Sequence, residues 1–250
     1  MTVQFFIGDM RDHLSAIPDA SVDAIITDPP YGETSLPWDK RVPGWQTMLL
    51  RVLKPTGSMW VFGSLRLFME TATEFAGWRM SHDVVWEKHN GTGLFNDRFR
   101  RVHEIAAHFY PAGAKWDSVY KAPQFTNDER ARVVRKKGRP AQWIGATGET
   151  VYRSEDGGPR LMRSVLPVRS EHGRAEHPTQ KPLALLEPML AYCCPPGGLV
   201  LDPFGGSGST GIAAKQAGRR AILIELNPEY AEIARKRIDG DAPLFAPEAA

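Results

Sequence analysis

The chain has 250 residues, of which 42% are hydrophobic and 24% charged, and its 31 basic and 29 acidic side chains leave a net charge of +2. That length holds one large domain or a core with an inserted lobe, and the composition excludes wholesale disorder and a collagen-like repeat. The two cysteines, Cys193 and Cys194, are adjacent, which excludes a disulfide framework and a spaced zinc site.

No apolar run reaches the ~18–20 residues of a membrane span. The opening residues MTVQFFIGDM lack the basic segment and apolar stretch of a signal peptide, so a cytoplasmic, reducing location is expected. In chain order, residues 3–8 (VQFFIG) and 22–28 (VDAIITD) read as strands, with a short helix between them at MRDHLSAIP. Residues 44–55 space their apolar side chains as a helix does, and Lys54-Pro55-Thr56-Gly57 stops it. A strand follows at 58–63, a helix at 65–78 with a glycine stop, and strands at 82–88 and 103–110. This alternation predicts a parallel α/β sheet.

From about 111 to 176 the rhythm fails, and proline, glycine and charge replace it. Residues 98–139 carry eleven basic residues against four acids (Glu104, Asp117, Asp128, Glu129), so the rest of the chain is net acidic. Phe99, Tyr110, Trp116, Tyr120 and Phe125 are interleaved. A solvated variable loop and a lobe touching nucleic-acid phosphate are the two readings. On the second, Arg130, Arg132, Arg135, Lys136, Lys137 and Arg139 are the candidate contacts. The α/β pattern then resumes. A helix runs from Pro182 through 183–192 with Pro188 inside it as a possible kink. Strands at 199–202 and 221–225 alternate with helices at 210–218 and 228–238, and 241–250 form a tail.

Two motifs carry chemistry. Asp202-Pro203-Phe204-Gly205-Gly206-Ser207-Gly208-Ser209-Thr210-Gly211 follows a strand and opens a helix, and Gly206, Gly208 and Gly211 satisfy G-x-G-x-x-G. Glycines let the backbone turn sharply and approach a ligand at a helix N-terminus. Glu225 ends the next strand about twenty residues on, where it can accept ribose hydroxyls. A nucleoside-cofactor site and a purely structural turn both fit the glycines. Only about forty residues follow Gly211, too few to complete a doubly wound sheet, so the missing strands come from the N-terminal half. The second motif is Asp28-Pro29-Pro30-Tyr31, at the end of a strand. Its prolines make a rigid turn, for which a purely structural strand end and a ligand-binding corner are both readings. The Asp28 carboxylate and Pro29 carbonyl can receive the two hydrogens of an amino group, and Tyr31 can stack on the ring that bears it.

On these residues the chain resembles the S-adenosylmethionine-dependent DNA amino-methyltransferases. Asp28-Pro29-Pro30-Tyr31 matches the family's D/N/S-P-P-Y/F/W motif, and Phe204-Gly205-Gly206-Ser207-Gly208 its F-x-G-x-G motif. His177-Pro178-Thr179-Gln180-Lys181-Pro182 resembles the segment before the cofactor motif in the β group, which has the catalytic motif first and the cofactor motif last. The resemblance implies a Rossmann-like, mainly parallel methyltransferase sheet with permuted motif order. It implies a catalytic half at 1–110, an inserted basic target-recognition region at 111–176 and a cofactor half at 177–240. It places Asp202, Phe204, Gly206 and Gly208 at the methionine end of S-adenosylmethionine, Thr179 and Lys181 at its carboxylate, Glu225 at its ribose and Asp9 near its adenine. For Asp9 a turn aspartate, and for Lys181 a surface lysine, remain alternatives. Arg101 and Glu104 fall where the family has an acidic strand, with a structural salt bridge and a functional role both open.

The implied activity is methyl transfer to the exocyclic amino group of a base flipped out of double-stranded DNA. Asp ahead of Pro-Pro-Tyr favours N6 of adenine over N4 of cytosine. No His/Cys cluster implies a metal. Candidate partners beyond DNA are a second copy of the chain and a separate restriction endonuclease. An RNA or protein amino-methyltransferase is the runner-up; an NAD-dependent oxidoreductase and an inactive DNA-binding module are more distant readings.

Overall fold

Alternation along the central strands decides which residues meet which helices. In β2 (Val22–Thr27), Ile25 joins one buried cluster while Ala24 and Ile26 join another. In β3 (Leu53–Gly63), Met59 and Val61 side with Ile25, and Trp60 and Phe62 with Ile26. Side chains of a strand point alternately to opposite faces, so these strands are covered on both sides, as strands of parallel sheets are. The first cluster receives Met10 of α1 (Met10–His13) and Leu49 and Val52 of α2 (Trp45–Val52). A further short helix, α3 (Leu65–Glu70), follows β3.

The computed structural model describes residues 2–92, 96–127, 133–136, 150–153, 155–171, 173, 175 and 180–241. After α3 come β4 (Trp78–Thr92), β5 (Arg101–Pro111), β6 (Phe125–Thr126), β7 (Val133–Lys136), β8 (Thr150–Arg153), β9 (Arg160–Leu161) and β10 (Val165–Pro167). The chain closes with α4 (Leu183–Cys193), β11 (Leu199–Asp202), α5 (Ser209–Gln216), β12 (Arg220–Glu225) and α6 (Pro228–Gly240). Leu185, Leu186, Met189 and Leu190 of α4 and Ala213 and Ala214 of α5 fill the second cluster. Eight strands form one sheet in the order β1-β12-β11-β2-β3-β5-β4-β10, where β1 is Val3–Ile7. The first five in that order run parallel. From β11 the chain moves outward to β12, and from β2 it moves the other way to β3. The switch point therefore lies between β11 and β2, where ligands of open α/β sheets bind outside the carboxyl ends of the strands.

Several local expectations change. Residues 82–88 and 103–110 are strands, but not of a parallel pair: β4 and β5 are antiparallel (Val84 opposite Ala106), as are β3 and β5. Consecutive strands with no crossover helix return antiparallel. The helix expected over 65–78 stops at Glu70, gives way to a 3-10 turn at Ala72–Phe75, and Trp78 already belongs to β4. Lys54-Pro55-Thr56-Gly57, expected to stop the helix over 44–55, follows a helix that already ends at Val52. The segment lies within β3, where the register with β2 jumps between Val22 opposite Leu53 and Ala24 opposite Ser58. Such a bulge accommodates a proline without a missing ladder bond. The irregular segment also contributes β10, which pairs parallel with β4. Trp86 Nε1 donates to Val168 O at 2.7 Å just beyond it.

By contact density the chain divides into Met1–Ala122 with Ser164–Ala250, and Pro123–Arg163. The second unit lies inside the 111–176 segment singled out from the sequence. It contains two antiparallel ribbons, β6 with β9 and β7 with β8, and β7 carries Arg135 and Lys136. Among the described residues, no helix is long and apolar enough to cross a membrane.

Candidate active site

Four parallel strands deliver their carboxyl ends to one cavity of about 450 Å³ within the first unit. β1 leads into Gly8 and Asp9, β2 into Asp28, β11 ends on Asp202, and β12 ends on Glu225; all five line it. Pro30, Lys181, Phe204 and Gly206 line it too. The cavity thus joins the two sequence motifs and the lysine that precedes α4.

The glycine loop is held by its own acids. Asp202 accepts from the Phe204 amide at 3.1 Å and from Thr210 Oγ1 at 2.7 Å. Burial raises its carboxyl to about 7, against those two bonds. One Glu225 oxygen accepts from the Gly206 amide and the other from the Asn227 amide, each at 2.8 Å. Burial raises Glu225 as well, and these amides oppose the rise. Gly206 has φ 49°. Gly208 stands off the cavity wall. Its φ is 77°, and a Cβ there would lie 3.0 Å from the Ala234 Cβ, so the last glycine of F-x-G-x-G is needed here for the turn and for packing on α6. Asp9 caps α1 by accepting from the Arg11 amide at 2.9 Å, and it also holds the Arg11 guanidinium at 2.8 and 2.5 Å. That guanidinium, beyond what burial takes away, keeps the Asp9 carboxyl low.

The D-P-P-Y turn is organised from several directions. Tyr31 Oη donates to Asp28 Oδ1 at 2.6 Å, and Lys181 Nζ donates to Asp28 Oδ2 at 2.5 Å. Lys181, expected at the cofactor's carboxylate or at the surface, ends instead on the Asp28 carboxylate; its side chain is 8% exposed. A second carboxylate oxygen, Glu104 Oε2, lies 3.4 Å from the same ammonium, and Lys88 pairs with Glu104 Oε1. Burial raises Asp28, with the Lys181 charge opposing and the Glu104 charge adding to the rise. Burial works against the Lys181 charge, but its two carboxylates outweigh that and raise its pKa. Burial and the adjacent Asp28 push the Tyr31 hydroxyl well above its usual range. Pro29 and Tyr31 flank the lining residues Asp28 and Pro30 without themselves lining the cavity.

Sequence reasoning missed Asp39. It is 7% exposed and accepts from the amides of Gly32, Glu33 and Thr34 at 2.8, 3.0 and 2.7 Å, and from Thr34 Oγ1 at 2.7 Å. It thereby shapes the loop that follows Tyr31. The only sequence signal was an acid a few residues past a turn, which is common in any loop. Trp38 and Tyr230, also unforeseen, line the cavity, as does Thr210 of the glycine loop. Thr179, Arg130, Arg132, Lys137 and Arg139 lie outside the described residues, and of Arg135 and Lys136 only the backbone course is described. Among the described residues, no group of three or more His, Cys, Asp or Glu could hold a metal ion.

An open sheet whose switch point carries a glycine loop, a buried acid on each neighbouring strand and a D-P-P-Y turn in one cavity defines an S-adenosylmethionine-dependent methyltransferase. The DNA methylase family of the N6/N4 type matches residues 22–236, and the chain belongs to it. It is 29% identical over 261 residues to the type II methyltransferase M.HinfI of Haemophilus influenzae, covering 92% of this chain and 67% of that protein. It is 29% identical over 271 residues to the type II methyltransferase M2.DpnII of Streptococcus pneumoniae, covering 94% and 88%. The crystal structure of M1.HpyAVI in complex with S-adenosylmethionine superposes with a TM-score of 0.65 at 27% identity, over 94% of this chain and all of that one. The cytosine-N4-specific PvuII methyltransferase shares the fold, with a TM-score of 0.64 at 16% identity, over 100% and 89% of the two chains.

The cavity suits S-adenosylmethionine in size and donor set. Its volume is in the range of small-molecule sites. Asp202 offers negative charge to a cationic ligand. The Glu225 carboxylate keeps lone-pair capacity for a hydroxyl beyond the amides it accepts. The Trp38 and Tyr230 rings, 6.3 Å apart and edge-on, offer an apolar wall for a purine.

Proposed function

We propose that this DNA amino-methyltransferase modifies N6 of adenine in double-stranded DNA. The observation that carries the reading is Asp28, the acid of an Asp-Pro-Pro-Tyr turn, lining the same cavity as the glycine loop. An acid ahead of Pro-Pro-Tyr favours adenine; cytosine N4 is the second reading, since the fold is shared with a cytosine-N4-specific enzyme.

Bound S-adenosylmethionine supplies an activated methyl group on a sulfonium. The chain's residues position and polarise the acceptor. Asp28 and the Pro29 carbonyl accept the two hydrogens of the amino group, which turns its lone pair out of the ring and toward the methyl. Asp28 Oδ1 retains a lone-pair site beside Tyr31 Oη for this. Asp28 receives the amino proton after transfer. Tyr31 stacks on the flipped base, which offsets part of the few kcal/mol that flipping costs. Asp202, Phe204 and Gly206 hold the methionine end of the cofactor, with Thr179 at its carboxylate, Glu225 at the ribose and Asp9 near the adenine. Gly208 serves them by shaping the turn.

The basic insert, including Arg130, Arg132, Arg135, Lys136, Lys137 and Arg139, contacts phosphate. Binding is then expected to weaken steeply with salt. A separate restriction endonuclease is proposed as the functional partner, because the relatives M.HinfI and M2.DpnII are type II methyltransferases.

The test is expression in a bacterial host lacking DNA methylation, followed by modification-sensitive sequencing of its genome. N6-methyladenine at one short motif is the expected result, and N4-methylcytosine overturns the choice of base. Asp28→Ala is expected to abolish the mark while cofactor binding survives. A wild-type mark from that variant refutes the assignment of Asp28.

A further inference from the structure

Glu104 on β5 and Lys88 on β4 touch neither sequence motif, yet they end a chain of buried charges that begins at Asp28. The order is Asp28, Lys181, Glu104, Lys88, alternating in sign. The four side chains are between 8% and 20% exposed, so water screens their interactions weakly. Phe62 of β3 closes one side, its ring centroid 5.1 Å from Lys181 Nζ.

Two demands on Asp28 conflict in such a site. It must be ionised to accept an amino hydrogen strongly, and a buried carboxylate needs a cation beside it. A cation devoted to it alone would neutralise the charge that makes it a strong acceptor. Lys181 is not devoted to it: the ammonium sits 2.5 Å from Asp28 and 3.4 Å from Glu104.

We propose that Glu104 is a positioning residue for methyl transfer, which divides the Lys181 ammonium so that Asp28 stays ionised yet remains a strong acceptor, and that Lys88 anchors Glu104 for this task. The inference rests on Asp28 being the acceptor for the target amino group. Glu104 is itself firmly ionised: burial would raise it, but Lys181 and Lys88 hold it at about 2. The other charged or titratable groups facing the chain are Tyr31 on Asp28 Oδ1, Asp202 from β11, and Arg101, which pairs with Glu33 at 3.4 Å. None of them gives Lys181 a second carboxylate contact.

A simple structural bridge would lose stability on removal of any member and show no ordered effect on pH dependence. Division of charge predicts opposite signs. Glu104→Gln removes a like charge from the surroundings of Asp28 and leaves it the whole ammonium. The acid limb of the kcat profile is expected to move down by about one pH unit, and the plateau kcat to fall several-fold with KM for DNA unchanged. Lys181→Gln and Lys88→Gln are expected to move the limb up, the first because Asp28 loses its cation, the second because Glu104 then draws Lys181 away. Glu104→Asp is expected to restore part of the wild-type profile. Two further readouts do not depend on turnover. The carboxyl carbon of Asp28 in 13C-aspartate-labelled protein, assigned with Asp28→Asn, is expected to titrate in the same directions, and calorimetry is expected to give Glu104→Gln wild-type affinity for S-adenosylmethionine.

An unmoved acid limb and an unmoved Asp28 titration in folded Glu104→Gln overturn the proposal, as does a shift of the same sign in all three variants. Should Glu104→Gln fail to fold, the upward shift in Lys88→Gln decides in its place, and its absence overturns the proposal. Full activity in Asp28→Ala instead removes the reading beneath it.

Discussion

Replacing Asp39 tests how the loop after the Asp-Pro-Pro-Tyr turn is built. Its two oxygens accept four hydrogen bonds, one on Oδ1 from Gly32 and three on Oδ2 from Glu33 and Thr34. A hydrogen bond to a charged partner contributes ~1.5–3 kcal/mol net. Four bonds to one carboxylate are not additive, and the freed amides can turn partly to water. Opening this loop is therefore expected to become about 3–5 kcal/mol easier in Asp39→Ala. Asp39→Asn is the sharper variant. Whichever way the amide is turned, its NH2 group faces at least one N–H donor, so this near-isosteric change should cost almost as much as alanine. Burial raises the Asp39 carboxyl, but its donors outweigh that and hold it below 3.8. A depressed carboxylate stabilises above its unfolded pKa and loses that contribution as pH falls through its folded value. The deficit of Asp39→Asn should accordingly shrink at pH values below 3.8. Lys40 and Arg41 lie next to Asp39 in the chain, so the rate of tryptic cleavage there reports the opening directly. We expect both variants to be cut much faster and to lose kcat while the core melts only slightly earlier. Wild-type cleavage and wild-type kcat in Asp39→Asn would show that the four bonds do not hold the loop.

Two other outcomes follow from the glycine loop. Gly208→Ala puts a Cβ 3.0 Å from Ala234 Cβ and 3.1 Å from Ile238 Cδ1 at φ 77°; left-handed strain and overpacking together are expected to destabilise by ~2–4 kcal/mol, and an unchanged urea midpoint refutes this. The Asp202 carboxyl is raised by burial from 3.8 to about 7, so the folded state binds its proton more tightly than the unfolded chain and stability drains away as pH rises through that window. Asp202→Asn lacks the titration, and the melting temperature of the wild type should fall relative to that variant between about pH 4 and pH 7. Parallel curves in the two proteins would refute the assigned shift.

Some of this molecule is written locally. Strands β1, β2, β11 and β12 and helices α2, α5 and α6 follow from the spacing of apolar residues, because alternation and helical periodicity act over a few residues. The glycine loop and the D-P-P-Y turn are legible for the same reason: prolines and glycines restrict or free φ wherever they stand. Their order along the chain also implies that the cofactor half closes the sheet begun by the first half. What the tertiary structure alone decided is pairing across the chain. Lys181 meets Asp28 across 153 positions, and no local rule says that a lysine two residues before α4 will reach the end of β2. Glu104 reads as one more acid in a strand until β4 and β5 turn out antiparallel and bring Lys88 beside it. β10 is three residues long, ends on a proline, and becomes a strand only because β4 presents an open edge. Asp39 is an ordinary loop aspartate until burial and four donors surround it. Periodicity and backbone restriction belong to the chain itself, whereas the partner of a buried charge depends on which strands become neighbours, and that emerges only when the sheet is assembled.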